Sequence, residues 1–222
     1  EAALTDGGAI GWIGLADGHH GSTQLAEAGA DLYHGAAGIG LFLAQAGRRL
    51  GSDRYCDYAF RCGSSALACV EGKRAMIGGG FSGRTSAAYA LLHLAAFFGE
   101  SAWGQAALDR LVEFAGHAGE DTLLDVVAGS AGLCAVLISA HEATGERQFA
   151  EAAIRPAEHL LARCVPCGTG HGWPGRNAEQ PLTGFAHGAA GIGWALARVG
   201  AALDREDFIG AARAAFAYER SL

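Results

Sequence analysis

Apolar stretches that open on small residues alternate along this chain with more polar stretches of helical period. Four of the apolar stretches align on a small-residue turn: "LYHGAAGIGLFLA" (32–44), "GGFSGRTSAAYALLHLA" (79–95), "LDVVAGSAGLCAVLISA" (124–140) and "GFAHGAAGIGWALARVG" (184–200). Their first aligned glycines are Gly35, Gly83, Gly129 and Gly188, with separations of 48, 46 and 59 residues. A second glycine recurs as Gly38, Gly132 and Gly191, and Ser86 stands in its place in the second repeat. Each apolar stretch is followed by a more polar one, at 52–70, 101–117, 146–164 and 205–222. Apolar residues recur there at helical spacing, as in Phe149, Ala152, Ala153 and Leu160. Pro156 predicts a kink in the third of these, because proline lacks the N–H and crowds the preceding turn. No stretch shows sustained two-residue alternation with β-branched residues. The predicted unit is an αα-hairpin, and the predicted class is all-α.

The first helix of each hairpin is nearly all small and apolar, the composition of a helix buried on every side. Apolar helices inside amphipathic ones make an α/α toroid. In such a ring the inner-helix N-termini face one end and converge on a central cavity, where a site is expected. A glycine-rich turn at a helix N-terminus exposes free N–H groups and a positive dipole end. It either faces a ligand or permits tight packing, and the sequence leaves both open. Four hairpins are fewer than the usual six or seven of a closed ring, and the last helix meets the chain end uncapped. Residues 1–222 are therefore expected to form the N-terminal portion of one larger toroid, with 1–30 as a lead-in.

Composition narrows the function classes. Half of the 222 residues are hydrophobic and 18% are charged, which suits a globular protein. No apolar run reaches the length of a membrane span, and no secretion signal opens the chain. Net charge is −7 and the Lys and Arg residues are scattered, which argues against a nucleic-acid surface. The six cysteines are expected to be reduced, and the location cytoplasmic.

The titratable residues beside the turns are the candidates for chemistry. His34 and His187 sit just ahead of their helices, and Asp125 stands four residues before Gly129. His187 and Asp125 belong to adjacent repeats. A carboxylate that orients an imidazole is a standard acid–base device. The plainer readings are that each histidine packs or caps and that Asp125 caps its helix. Arg84 either reaches into the cavity to hold a carboxylate or is a surface charge, the plainer reading. Cys164, Cys167 and His171 in "RCVPCGTGHGWPG" have some of the character of a zinc site but lack an evident fourth ligand nearby.

The segments "DLYHGAAGIGLFLA", "GGFSGRTSAAYALLHLA", "DVVAGSAGLCAVL", "PLTGFAHGAAGIGWALARVG" and "AAFAYERSL" resemble the cyclase domain of lanthionine synthetases. The likeness is strongest to the bifunctional type, in which a dehydratase domain precedes the cyclase, and "GAIGWIGL" is similar to the segment joining the two. It covers essentially the whole chain, in order. The resemblance implies a seven-hairpin toroid with a zinc ion in its mouth, acting in lanthipeptide (lantibiotic) biosynthesis. A cysteine of a dehydrated precursor peptide, held as a zinc thiolate, adds to dehydroalanine or dehydrobutyrine, and the enolate is protonated to give lanthionine or methyllanthionine. His187 matches the family's acid/base histidine and Asp125 its active-site aspartate. His34 falls where many bifunctional members carry aspartate, so its likeness to His187 reads as repeat symmetry. Trp173 falls near the cavity rim, where it either contacts peptide or plugs the rim.

One feature departs from the family. Its zinc ligands are a cysteine and a later Cys-His pair, and no Cys-His-Gly occurs in these 222 residues. The ligands are expected downstream of Leu222, with no metal site inside the chain and no cyclisation by the chain alone. Two rivals stand beside this reading. An α/α-barrel glycoside hydrolase needs two cavity carboxylates, and only Asp125 is well placed. A non-catalytic toroid that binds peptide or thiol accommodates the missing ligands equally well.

Overall fold

The computed structural model describes residues 3–6, 9–17, 22–72, 76–175 and 180–222. Helices dominate among them, as the all-α class requires. The chain divides into two units, Glu1–Met76 with Ser82–Arg110, and Ile77–Phe81 with Leu111–Leu222.

The first unit opens with three antiparallel strands that the sequence pattern did not predict: β1 (Ala3–Asp6), β2 (Ala9–Asp17) and β3 (Thr23–Glu27). Gly11 and Gly14 interrupt the side-chain alternation of β2, which hides its period in the sequence. The pairing reveals it. Ile10 and Trp12 share one face and pack toward Ala36, Tyr58 and Cys62. Leu4, Ile13, Leu15 and Leu25 share the other face and are exposed. Helices α1 (Ala36–Leu50) and α2 (Asp53–Glu71) follow as a hairpin. Gly51 closes α1 in the left-handed conformation, and the Ser52 hydroxyl accepts the Tyr55 N–H at the start of α2. α3 (Gly83–Phe98) leads into α4 (Ser101–Gly116), whose first ten residues belong to this unit. Trp103 of α4 is buried, and its ring lies close to those of Phe60 and Phe98.

The second unit continues with α5 (Ser130–Thr144), α6 (Arg147–Ala152) and α7 (Ile154–Arg163). The expected kink falls at the single residue Ala153, which separates α6 from α7. α6 ends at Ala152, four residues before Pro156, where the proline ring would crowd the carbonyl. A short hairpin, β4 (Val165–Cys167) with β5 (Gly170–Gly172), precedes α8 (Ala189–Leu203) and α9 (Glu206–Glu219). The expectation of inner helices buried on every side fits α5 and α8 closely. It fails for α1, which buries the stripe of Ala36, Ala37, Gly40, Ala44 and Gly47 and leaves Phe42 70% exposed.

The turn glycines are required for space. Gly129 and Gly188, which open α5 and α8, have φ of −124° and −122°, values open to any residue. The close approach is at the turn itself, where a Cβ on Gly129 would lie 2.4 Å from the Leu124 nitrogen and one on Gly188 2.3 Å from the Thr183 carbonyl, and again one turn later. A Cβ on Gly191 would lie 1.9 Å from the Phe185 carbonyl oxygen and 2.8 Å from Val126 Cγ2. A Cβ on Gly132 would lie 2.1 Å from the Gly80 nitrogen and 2.2 Å from the Val126 oxygen. The loop ahead of each helix folds back over it, so this side of the turn serves packing.

Two substitutions separate these roles. Gly191→Ala forces a methyl into backbone and is expected to cost about 2–3 kcal/mol, lowering Tm by about 5–10 °C. Gly210→Ala meets nothing within 4 Å on the exposed side of α9. It is expected to raise Tm by about 2 °C, through reduced freedom of the unfolded chain. Thermal melting followed by circular dichroism reads both.

Candidate active site

Two loops of the second unit carry the principal site. The loop at 121–129 is organised by Asp121. Its Oδ1 accepts the Leu123 N–H at 2.9 Å; its Oδ2 accepts the Leu124 N–H at 3.1 Å and both the N–H and the hydroxyl of Ser130 at 2.7 Å. Asp121 thereby serves the α5 N-terminus, the capping role the plainer reading gave to Asp125. Within the loop Leu124 has φ of +65°, a region β-carbons disfavour, and its side chain is buried. Asp125 follows directly, and its Oδ1 accepts the Ala128 N–H at 2.7 Å.

The second loop, at 181–188, folds back over α8 through Ala189 N–H to the Leu182 carbonyl at 2.9 Å. Glu219 of α9 holds it from the side, its Oε1 accepting the Gly184 and Ala190 N–H groups, each at 2.8 Å. Gly184 has φ of +90°, which glycine adopts without strain. The loops meet where the Val126 N–H donates to the Ala186 carbonyl at 3.2 Å. The next residue along one loop and the preceding one along the other are His187 and Asp125.

Their side chains form the pair that sequence reasoning singled out. His187 Nδ1 stands 2.7 Å from Asp125 Oδ2. Asp125 is 8% exposed, whereas the His187 side chain is 57% exposed. Beside an ionised carboxylate, Nδ1 carries the proton and donates it, which leaves Nε2 to accept or deliver one. The arrangement is a proton-handling pair with its support buried and its imidazole open.

The other candidates lie elsewhere. His34 is exposed in the first unit, its ring edge-on to Tyr33 at 4.4 Å and its N–H bonded to Asp31 Oδ1 at 2.8 Å. Arg84 is neither a surface charge nor a cavity group. It is 7% exposed, and its guanidinium donates to the Val70 carbonyl through Nε at 3.3 Å and Nη2 at 2.7 Å. The last carbonyls of a helix lack intrahelical partners, and Arg84 supplies one to α2. Trp173 is buried rather than on an open rim, its indole N–H donating to the Leu160 carbonyl at 2.8 Å. Cys167 pairs with Gly170 and Pro166 with His171, so Cys167 and His171 project from opposite faces of the β4–β5 hairpin. Among the described residues no three His, Cys, Asp or Glu side chains form a group able to hold a metal ion. The described residues do not fit the zinc site that the resemblance implies.

The sequence reading missed Asp121 and Glu219. Asp121 is four residues from Asp125, and a second acidic residue ahead of the same helix was its signal. Glu219 lies in the polar "YERSL" stretch, 32 residues after His187, and no local pattern connects it to that loop.

Paired helices with a His–Asp hydrogen-bonded pair at the mouths of α5 and α8 define an α-helical repeat protein with a candidate acid–base site. The model of one family, described as lanthionine synthetase C-like protein, matches residues 26–222, and the chain belongs to that family. The match begins inside β3, so most of the sheet lies outside it. No curated protein matches the sequence significantly.

Burial pushes the Cys62 thiol up to about 12 and raises that of Cys134 too. Both should resist iodoacetamide at pH 8 in the native protein and react once it is denatured, as peptide mass spectrometry would report. A raised thiol pKa means the unfolded chain releases a proton that the fold retains. Stability from these thiols is therefore full below about pH 9 and falls as pH rises above it. The urea midpoint should decline over that range, and less so in a Cys62→Ala, Cys134→Ala variant.

Proposed function

We propose that His187 and Asp125 handle the protons of thioether ring formation in a ribosomally made, dehydrated precursor peptide. Membership of the lanthionine synthetase C-like family supports a lanthionine synthetase-type function in general. The observation that carries the specific reading is the 2.7 Å contact between His187 Nδ1 and Asp125 Oδ2. The addition forms one S–C bond at the β-carbon of dehydroalanine or dehydrobutyrine. It removes one proton from the peptide thiol and adds one at the α-carbon. His187 Nε2 is open to the solvent side and can deliver that proton to the enolate. Asp125 keeps the ring oriented.

The family's reaction uses a zinc-bound thiolate. The described residues do not supply its ligands, and we place these in sequence beyond Leu222; a dehydratase domain on the other side, upstream of the cyclase, would complete the bifunctional arrangement. The reducing cytoplasm suits six free thiols, and no described helix is long and apolar enough to cross a membrane. A two-carboxylate glycosidase mechanism is poorly supported, because both Asp121 oxygens are occupied by loop and helix donors.

The test uses a synthetic peptide with one cysteine and one dehydroalanine, and counts free thiol by alkylation and mass spectrometry. In a protein that closes the ring, His187→Gln should slow closure by about 10²-fold or more, with Asp125→Ala impaired in the same direction. Full activity in both variants would sink the reading. Peptide binding without thiol consumption would favour the non-catalytic toroid. Elemental analysis of the purified chain should give far less than one zinc per molecule. Stoichiometric zinc would overturn the placement of the ligands.

A further inference from the structure

Two carboxylates outside the acid–base pair brace its two loops in matching ways. Asp121 Oδ2 bridges a loop N–H, that of Leu124, and the first N–H of α5, that of Ser130. Glu219 Oε1 bridges a loop N–H, that of Gly184, and a first-turn N–H of α8, that of Ala190. In both cases one oxygen pins the loop to the helix it folds over. The two are reached by different routes: Asp121 lies within its own loop, while Glu219 arrives from α9, 35 residues after Gly184.

The geometry points to Asp121 and Glu219 as positioning residues, which fix the loops so that His187 Nδ1 meets Asp125 Oδ2. This inference rests on the acid–base reading of that pair. Leu124, held at φ of +65°, is adjacent to Asp125, and its N–H donates to Asp121 Oδ2. Loss of that acceptor frees Leu124 to leave the left-handed region, which turns the following peptide and carries Asp125 away. Gly184 is three residues before His187, and without Glu219 the stretch around it loses its one side-chain acceptor, the loop keeping its backbone bonds to α8 and to Val126 and the Tyr218 hydroxyl bond to the Pro181 carbonyl. Charge strengthens both anchors, because a carboxylate at a helix N-terminus interacts favourably with the dipole and with N–H donors. His159 of α7 adds a further tie, its Nε2 lying 2.9 Å from the Asp121 carbonyl.

The readout is the tautomer of His187, which a purely structural role would not move. With the ring neutral, pairing to Asp125 places the proton on Nδ1, whereas an unpaired imidazole favours Nε2–H. Two-bond nitrogen–proton couplings in protein labelled with 15N at histidine distinguish the forms, and His187→Gln identifies the signal. Circular dichroism confirms that each variant is folded. The parent should show the Nδ1–H form. Glu219→Gln keeps an oxygen acceptor and should retain it. Glu219→Leu should populate Nε2–H, as should Glu219→Asp, the milder variant should the leucine fail to fold. Asp121→Asn, left with one acceptor oxygen for four donors, should do the same. Folded Glu219→Leu (or Glu219→Asp) and Asp121→Asn proteins with the parent's tautomer would overturn the proposal. Asp125→Ala separates this from the reading beneath it. If Asp125→Ala shifts the tautomer and the others do not, only the positioning role falls. If Asp125→Ala leaves the tautomer unchanged, the pair is not formed and both fall.

Discussion

The hydrogen bond from His187 Nδ1 to Asp125 Oδ2 depends on two loops from different repeats reaching each other within a few tenths of an ångström. Neither residue could find the other from a regular helix. Each stands in a loop that doubles back over the helix it precedes, and the Val126-to-Ala186 backbone bond joins the loops beside the pair. The site is a property of the junction between repeats, and the remainder of the second unit sets its register.

That junction explains the glycines. Each loop lies against the first turns of its helix so closely that a methyl at Gly132 or Gly191 would overlap backbone atoms. The ordinary φ angles at Gly129 and Gly188 show that space, rather than conformational freedom, is what the repeated glycine supplies there. The helices behind the loops are rich in alanine and glycine for a related reason. Gly193 faces Ala215, and Gly200 faces Ile209, so α8 and α9 approach closely. Close packing of backbones limits how far the loops can drift, and positional accuracy at an acid–base pair benefits directly.

Much of this was legible in the sequence, in proportion to how local the determinants are. Helices α1, α2, α3, α5, α8 and α9 follow from apolar period and turn composition, and Pro156 announced the break between α6 and α7. The pair itself was legible because HGAAG and DVVAG mark equivalent turns of adjacent repeats. The strands at 3–27 were hidden by Gly11 and Gly14, which remove side chains from the alternation that would have shown them. Arg84 was misplaced as a surface charge, and Trp173 was left between peptide contact and plug, because a long polar or aromatic side chain beside a turn looks the same in sequence whether it faces solvent or a helix end. Both serve carbonyls at helix ends, Val70 of α2 and Leu160 of α7. Glu219 was illegible since its partners lie on another element.

The claim that Asp125 acts through His187 is tested most directly by a double-mutant cycle on thioether ring closure. The rates to compare are those of the parent, Asp125→Ala, His187→Gln and the double variant, with the same dehydrated peptide. If the residues work as one unit, the double variant should be no slower than His187→Gln alone, because removing the imidazole already removes what the aspartate orients. Losses that multiply would mean that the two act independently, and would contradict the account.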